Sequence, residues 1–268
     1  MMDLRPVSAK ILIPVFLIVL AIAYAAYRPA LTGAFELDDV ANLGDLAYVA
    51  EGGSLSDFVL SGRAGPTGRP LAMLAFGLQA EAWEQGAADF LQVNLFIHLL
   101  NAVLLAWCLY QLARLASVER DTALLVAVAA SSLWVTMPLL VSASLLVVQR
   151  MTTLSATFAL LGLGSYLAAR GRLAASPGRA LAAMSVSLVA ATVLSTLSKE
   201  TGLLLPAFIL VLEATVLRRP ENLSMRRWRT WRSMMPKSCF SVSRRRSWSS
   251  SFSRERVSRS RSSSSYRS

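Results

Sequence analysis

Three groups of residues have the types and spacing to do chemistry. The first is Glu36-Leu37-Asp38-Asp39. A carboxylate beside a second acid, at the edge of a low-dielectric medium, holds its proton more tightly, which suits general-base work. Asp39, placed ahead of an apolar-periodic run, would equally serve as a helix cap. The second group is Asn94, His98 and Asn101, at i, i+4 and i+7 on one helical face. A polar stripe in an apolar helix is costly unless it meets a substrate, water or a neighbouring helix. It is therefore either a substrate face or a packing face. The third group is Arg69, Arg150 and Lys199, in Gly-Arg-Pro, Gln-Arg-Met and Ser-Lys-Glu. Cations at helix ends suit a phosphate or pyrophosphate head group, or they pair with Asp38, Asp39 or Glu200.

The elements that must position these groups are membrane helices. Of 268 residues, 54% are hydrophobic and 16% charged, against about 25% charged in an ordinary soluble domain. Mean hydropathy is +0.50. A net charge of +11 hides an asymmetry. Residues 1–217 hold 12 Lys/Arg and 14 Asp/Glu, a net of −2, and residues 218–268 hold 15 and 2, a net of +13. A spanning helix needs about 20 mostly apolar residues. The pattern predicts an all-α polytopic membrane protein with about six such helices, near 11–27, 90–112, 122 to past 134, 152–169, 180–197 and 202–217. Pro138 marks a kink or a surface-lying stretch after the third. Residues 1–27 form a short stub and the first span, 28–89 a long loop, 90–217 a five-helix region, and 218–268 a tail.

Orientation follows from the basic residues. Arg5 and Lys10, Arg114 and Arg120, Arg170, Arg172 and Arg179, and Arg218 and Arg219 fall on one side if there are six crossings. That side is expected to be the cytoplasm and to hold the N-terminus. The acids and the three cations of the first paragraph then face outward. Arg69, Arg150 and Lys199 thus oppose the positive-inside bias and need a reason to be there. In the long loop, 43–60 and 69–83 read as helices lying in the interface, with Trp83 as an anchor, and 62–68 as a turn-rich hinge. The first span has a rival reading as a cleavable signal peptide, with small residues around 21–26.

Five landmarks occur in order: the Asp-Asp pair after the first span; Gly-Arg-Pro-Leu-Ala-Met-Leu-Ala-Phe at 68–76; Asn-Leu-Phe-Ile-His-Leu-Leu-Asn at 94–101; Gln-Arg-Met-Thr-Thr-Leu at 149–154; and Leu-Ser-Lys-Glu-Thr-Gly at 197–202. Together they resemble the O-mannosyltransferase-like membrane proteins of the GT-C glycosyltransferase superfamily, of the type linked to tetratricopeptide repeats. The resemblance covers about residues 28–215. It implies transfer of a sugar from a polyprenyl-phosphate donor to an acceptor hydroxyl, on a protein or a glycan, at the external face of a bacterial inner membrane. It places the catalytic base on Asp39 or Asp38, Asp39 first, and the carrier phosphate on Arg150 and Lys199. The chain departs from the family in stopping after about six spans and in lacking a 34-residue repeat. It therefore reads as a truncated member, whose own activity stays open.

The tail is a different material, with 17 Ser and 12 Arg in residues 224–268. Such a segment cannot bury a core and is expected to be disordered. It reads as an Arg/Ser nucleic-acid arm, as a basic patch for anionic lipid, or as translation out of frame from somewhere near 222–237. The abrupt change of composition favours the last, so the expected partners are the bilayer, the lipid-linked sugar and the acceptor, and no nucleic acid. Cys108 and Cys239 are too far apart in sequence to suggest a disulfide framework, and with a single His they argue against a His/Cys zinc site; any other metal requirement stays open. A second function class also remains: a non-enzymatic transporter subunit or scaffold, with Asn94, His98 and Asn101 lining a polar pathway.

Overall fold

The apolar runs of the sequence become helices in the computed structural model, which describes residues 9–217; the expected tail lies outside the described residues. Every regular element among the described residues is helical. α1 (Ala9–Tyr27) is almost wholly apolar, and Pro14 sits inside it, in the second turn, where it withholds one i→i−4 N–H donor. The chain then makes four short helices, α2 (Leu37–Leu43), α3 (Leu46–Ala50), α4 (Leu55–Leu60) and α5 (Pro70–Gly77). Glycines in left-handed conformation, Gly52, Gly62, Gly65 and Gly68, break this stretch into pieces. Ser54 caps α4 by accepting from Asp57 N–H at 3.2 Å. Pro70 opens α5, where its lack of an N–H is harmless.

The long helices follow: α6 (Ala88–Leu115), α7 (Arg120–Val135), the short α8 (Val141–Leu145), α9 (Arg150–Arg170), α10 (Pro177–Ser198) and α11 (Leu205–Thr215). Four helical stretches are long and apolar enough to cross a membrane: 9–32, 88–115, 147–170 and 177–198. A fifth exists if α7 and the 138–145 stretch, bent by 56° at Pro138, form one broken span. The kink expected at Pro138 is therefore present. The expected sixth span is shorter than its apolar run suggested. α11 has 11 residues, about 16 Å at 1.5 Å per residue, roughly half of a hydrocarbon core.

α6 lies between α7 and α9, α9 pairs with α10, and α1 packs on α7. Small residues let these helices approach. A Cβ on Gly162 would overlap that of Ala191 on α10, and one on Gly164 would overlap the Trp107 ring of α6. Ser155 and Ser195 hydroxyls bond across the α9–α10 seam at 2.8 Å. Cys108, a free buried thiol, donates to Leu160 O on α9 at 3.1 Å. α1 buries Leu12, Phe16 and Ala23 in a cluster with Ala102, Val128 and Val135, so the first span is an integral face of the helix bundle.

Residues 28–89 fold as a cap on one end of the bundle. Leu43, Leu46, Phe58, Met73 and Phe76 join Phe90, Leu91, Leu95, Val147 and Met151 in one apolar cluster. The four short helices therefore share a core with the ends of α6 and α9. Trp83, expected as an interfacial anchor, turns inward instead: its ring lies 4.3 Å from Phe35 and 6.3 Å from Phe90. Aromatic partners on both sides hold it in that cluster.

Candidate functional site at the capped end of the bundle

The polar stripe on α6 is a packing face. Asn94, His98 and Asn101 are all buried. Asn94 Nδ2 donates to Leu146 O at 2.9 Å and to Val147 O at 3.2 Å. His98 Nε2 bonds Val135 O at 3.2 Å, and its ring packs 4.9 Å from Trp134 and 5.7 Å from Tyr27. Asn101 Nδ2 donates to Thr153 O at 2.9 Å, and its Oδ1 accepts from Thr157 at 2.8 Å. Asn94 thus ties α6 to the turn between α8 and α9, His98 ties it to the end of α7, and Asn101 ties it to α9.

Arg150 is a buried pin. It is 0% exposed. Its Nε donates to Asn94 Oδ1 at 2.8 Å, Nη1 to Ala75 O at 3.0 Å and Nη2 to Phe90 O at 2.9 Å. The guanidinium also lies 4.6 Å from the Phe76 ring centroid and 5.5 Å from that of Phe90. The reading of Arg150 as a ligand of the carrier phosphate is therefore corrected. Three of its five N–H donors go to one amide oxygen and two carbonyls, and no solvent reaches it.

Asp39 is buried too, also 0% exposed. Its Oδ2 accepts from Glu36 N–H at 2.8 Å, closing the first turn of α2, and its Oδ1 accepts from Val148 N–H at 2.6 Å. One carboxylate thus caps its own helix and ties the cap to the turn that leads into α9. Asp38, one residue earlier, is exposed. Its backbone carbonyl accepts from Asn42 at 2.7 Å, and among the described residues its carboxylate has no hydrogen-bond partner. Of the two aspartates expected to act as a base, Asp38 is the one that solvent and a substrate can reach.

Arg69 and Lys199 come near each other at the start of α9, through Met151 and Thr152. Arg69 starts α5 in the left-handed conformation, φ 46° and ψ 51°. That strain for a non-glycine residue is held by what its side chain binds. Its Nε lies 3.1 Å from Glu200 Oε2 and its Nη2 3.0 Å from the same oxygen, while Thr67 donates to Oε1 at 3.0 Å. Its Nη1 touches the Met151 sulfur at 3.3 Å. Partial burial works against the Glu200 carboxylate. The bonds from Arg69 and Thr67 and the Arg69 charge outweigh it, and the group is held at about 2 against an ordinary 4.5.

Lys199 Nζ donates to Thr152 Oγ1 at 2.6 Å, and Thr152 in turn donates to Gln149 Oε1 at 2.7 Å. Burial and then the neighbouring Arg69 push the Lys199 ammonium below its usual 10.5, with Glu200 opposing. Among the described residues Lys199 has no carboxylate within 4.0 Å. Two of its three N–H donors remain for an anion. Thr152 and Gln149 lie inside a motif singled out in the sequence. The Val148 N–H carries no side-chain signal and could not be found there.

The five landmarks, or residues directly beside them, are therefore tied together at one end of the helices by bonds that span 47 to 133 residues. Among the described residues no three His, Cys, Asp or Glu side chains gather as a metal site requires. Compared with family models, with curated proteins and with solved structures, the chain finds no match.

Proposed function

We propose that this chain is a GT-C-like membrane glycosyltransferase, of the O-mannosyltransferase-like type, acting at the external face of a bacterial inner membrane with its N-terminus in the cytoplasm. The observation that carries the reading is the convergence of the Asp38-Asp39, Arg69, Gln149–Thr152 and Lys199-Glu200 motifs at the capped end of the bundle. The donor is a sugar on a polyprenyl phosphate and the acceptor a hydroxyl of a protein or glycan. Asp38 takes the proton as the acceptor oxygen attacks the anomeric carbon. The bond from that carbon to the phosphate oxygen breaks, and the phosphate leaves with the electron pair. Lys199, with Arg69 beside it, offers positive charge where that negative charge develops. Asp39 positions Asp38 by fixing the first turn of α2.

The test reconstitutes the purified full chain in liposomes containing radiolabelled hexosyl-phosphoryl-polyprenol and supplies an acceptor peptide. The expected result is transfer, falling at least about a hundredfold in Asp38→Asn and strongly in Lys199→Met. Transfer by both variants at the wild-type rate would refute the assigned site. No transfer by the unaltered chain would refute the activity. The competing reading as a transporter subunit or scaffold drew on a polar pathway along Asn94, His98 and Asn101, and those side chains are taken up in packing.

A further inference from the structure

Away from the motifs just described, a cavity of about 290 Å³ opens on the cap, lined by Asp45, Tyr48, Asp57 and Phe58. Its floor is aromatic. Phe58 is buried, and Tyr48 is 54% exposed. The Tyr48 ring is nevertheless held in place. Gly53 N–H donates to Tyr48 O at 2.8 Å, which folds the 51–53 turn back over the residue. A Cβ on Gly53 would overlap Cδ1, Cε1 and Cζ of the ring at nearly equal distances. An atom in the ring plane would be much closer to one carbon than to its neighbours. The ring therefore lies with a face on the Gly53 backbone, and the absent side chain is what permits it. Its other side is left for the cavity.

The walls are acidic. Asp45 Oδ1 holds Arg63 at 2.8 Å in an ion pair at the rim. The Asp57 carboxylate has no partner among the described residues; only its N–H is used, in the cap with Ser54. The surrounding stretch has the same sign. Residues 28–89 hold 9 Asp/Glu and 3 Lys/Arg, a net of −6 in a chain of net +11. One of those three cations, Arg69, is committed to Glu200. A fixed aromatic ring between two carboxylates, inside a negative field, favours a cation over a neutral or anionic group.

We propose that this cavity docks a lysine or arginine side chain of a polypeptide acceptor. The proposal rests on the transferase reading and names the class of acceptor it uses. Asp45 follows Asp38 by seven residues, about 10 Å along a helical path. A cationic side chain seated at Tyr48 therefore holds a Ser or Thr a few residues away within reach of Asp38. The Asp57 carboxylate pairs the charge, the free side of the Tyr48 ring covers it, and Asp45 shares it with Arg63.

Binding is measured apart from transfer, on the detergent-solubilised full chain. The probe is a fluorescein-labelled peptide of three Ala-Lys-Ala-Ser repeats, with a second peptide carrying norleucine for each lysine. The lysine peptide binds more tightly, and added salt weakens it. Tyr48→Ala and Asp57→Asn each weaken it about two- to fivefold, and Tyr48→Phe keeps it. Equal binding of the two peptides overturns the proposal. So does equal loss in Tyr48→Phe and Tyr48→Ala, or a Tyr48→Ala defect confined to an oligosaccharide such as maltoheptaose. Any of those results obtained with wild-type sugar transfer intact removes the docking pocket and leaves the transferase standing. Loss of transfer with peptide discrimination intact does the reverse.

Discussion

Replacing Asp39 by asparagine separates a positioning aspartate from a catalytic one. The carboxylate accepts two backbone N–H groups, from Glu36 at 2.8 Å and from Val148 at 2.6 Å. An asparagine has one amide oxygen and can satisfy only one of them. Its NH₂ must then face the other N–H, donor against donor, in a site with no solvent. A charge-assisted bond contributes about 1.5–3 kcal/mol, and a buried donor left unpaired costs about 1–3 kcal/mol. The two overlap, so about 2–4 kcal/mol of destabilisation is expected. For a body of this size, at about 2–4 °C per kcal/mol, the melting temperature in detergent falls by about 4–16 °C. Amide exchange at Val148 speeds up as the cap loosens. Asp38→Asn, an exposed change with no lost partner, leaves both readings within error while sugar transfer is lost. The reasoning fails if Asp39→Asn melts like the wild type and Val148 stays protected while transfer disappears. Asp39 would then be the base and the two bonds incidental.

The Arg69–Glu200 link has a defined pH range. Glu200 is held at about 2 in the folded protein against 4.5 ordinarily, so its stabilising contribution is complete above about 4.5 and is lost as pH falls toward 2. The melting difference between wild type and Glu200→Gln is expected to be constant from pH 7 to 5 and to shrink below 4.5; a difference that grows in acid refutes the pairing. Lys199, whose ammonium is disfavoured by burial and by Arg69, should titrate below 10.5 when followed by reductive methylation and carbon-13 NMR, and Glu200→Gln should move it lower still. A Cβ at Gly202 would strike the backbone of Ser195 and Thr196, whereas one at Gly164 meets the far end of the Trp107 ring. Gly202→Ala is therefore expected to lower the melting temperature more than Gly164→Ala, by the equivalent of about 1–3 kcal/mol.

Much of the architecture was legible because membrane helices announce themselves by length and hydropathy. The kink at Pro138 was legible for the same local reason. The shortfall at α11 was not. An apolar run from 202 onward looks the same whether its first turn is α-helical or, as here, a tighter turn over Glu200–Leu204. Among the site residues, the stripe of Asn94, His98 and Asn101 was visible from its spacing, and packing was one of its two readings. The pairing of Arg69 with Glu200 was likewise one of two. Arg150 was misplaced because its position at a helix start suggests an outward side chain. Its acceptors, Asn94 Oδ1, Ala75 O and Phe90 O, come from two other helices, and two of them are backbone atoms without a sequence signature. Asp39 was foreseen as a possible cap, but not as a bond to Val148, for the same reason. Tyr48 escaped notice because its setting depends on a neighbouring glycine rather than on its own type.

The bond between Arg69 and Glu200 joins residues 131 positions apart. A ribosome adding about 5–20 residues per second makes the second of them some 7–26 s after the first. Over that interval α5, the core partners in α6 and then the Val148 turn that receives Asp39 are added, and the carboxylate that steadies a left-handed arginine comes last. The N-terminal part of the protein is thus completed from its C-terminal side. A nascent chain stalled before residue 200 would display Arg69 without its carboxylate partner, beside helices already made.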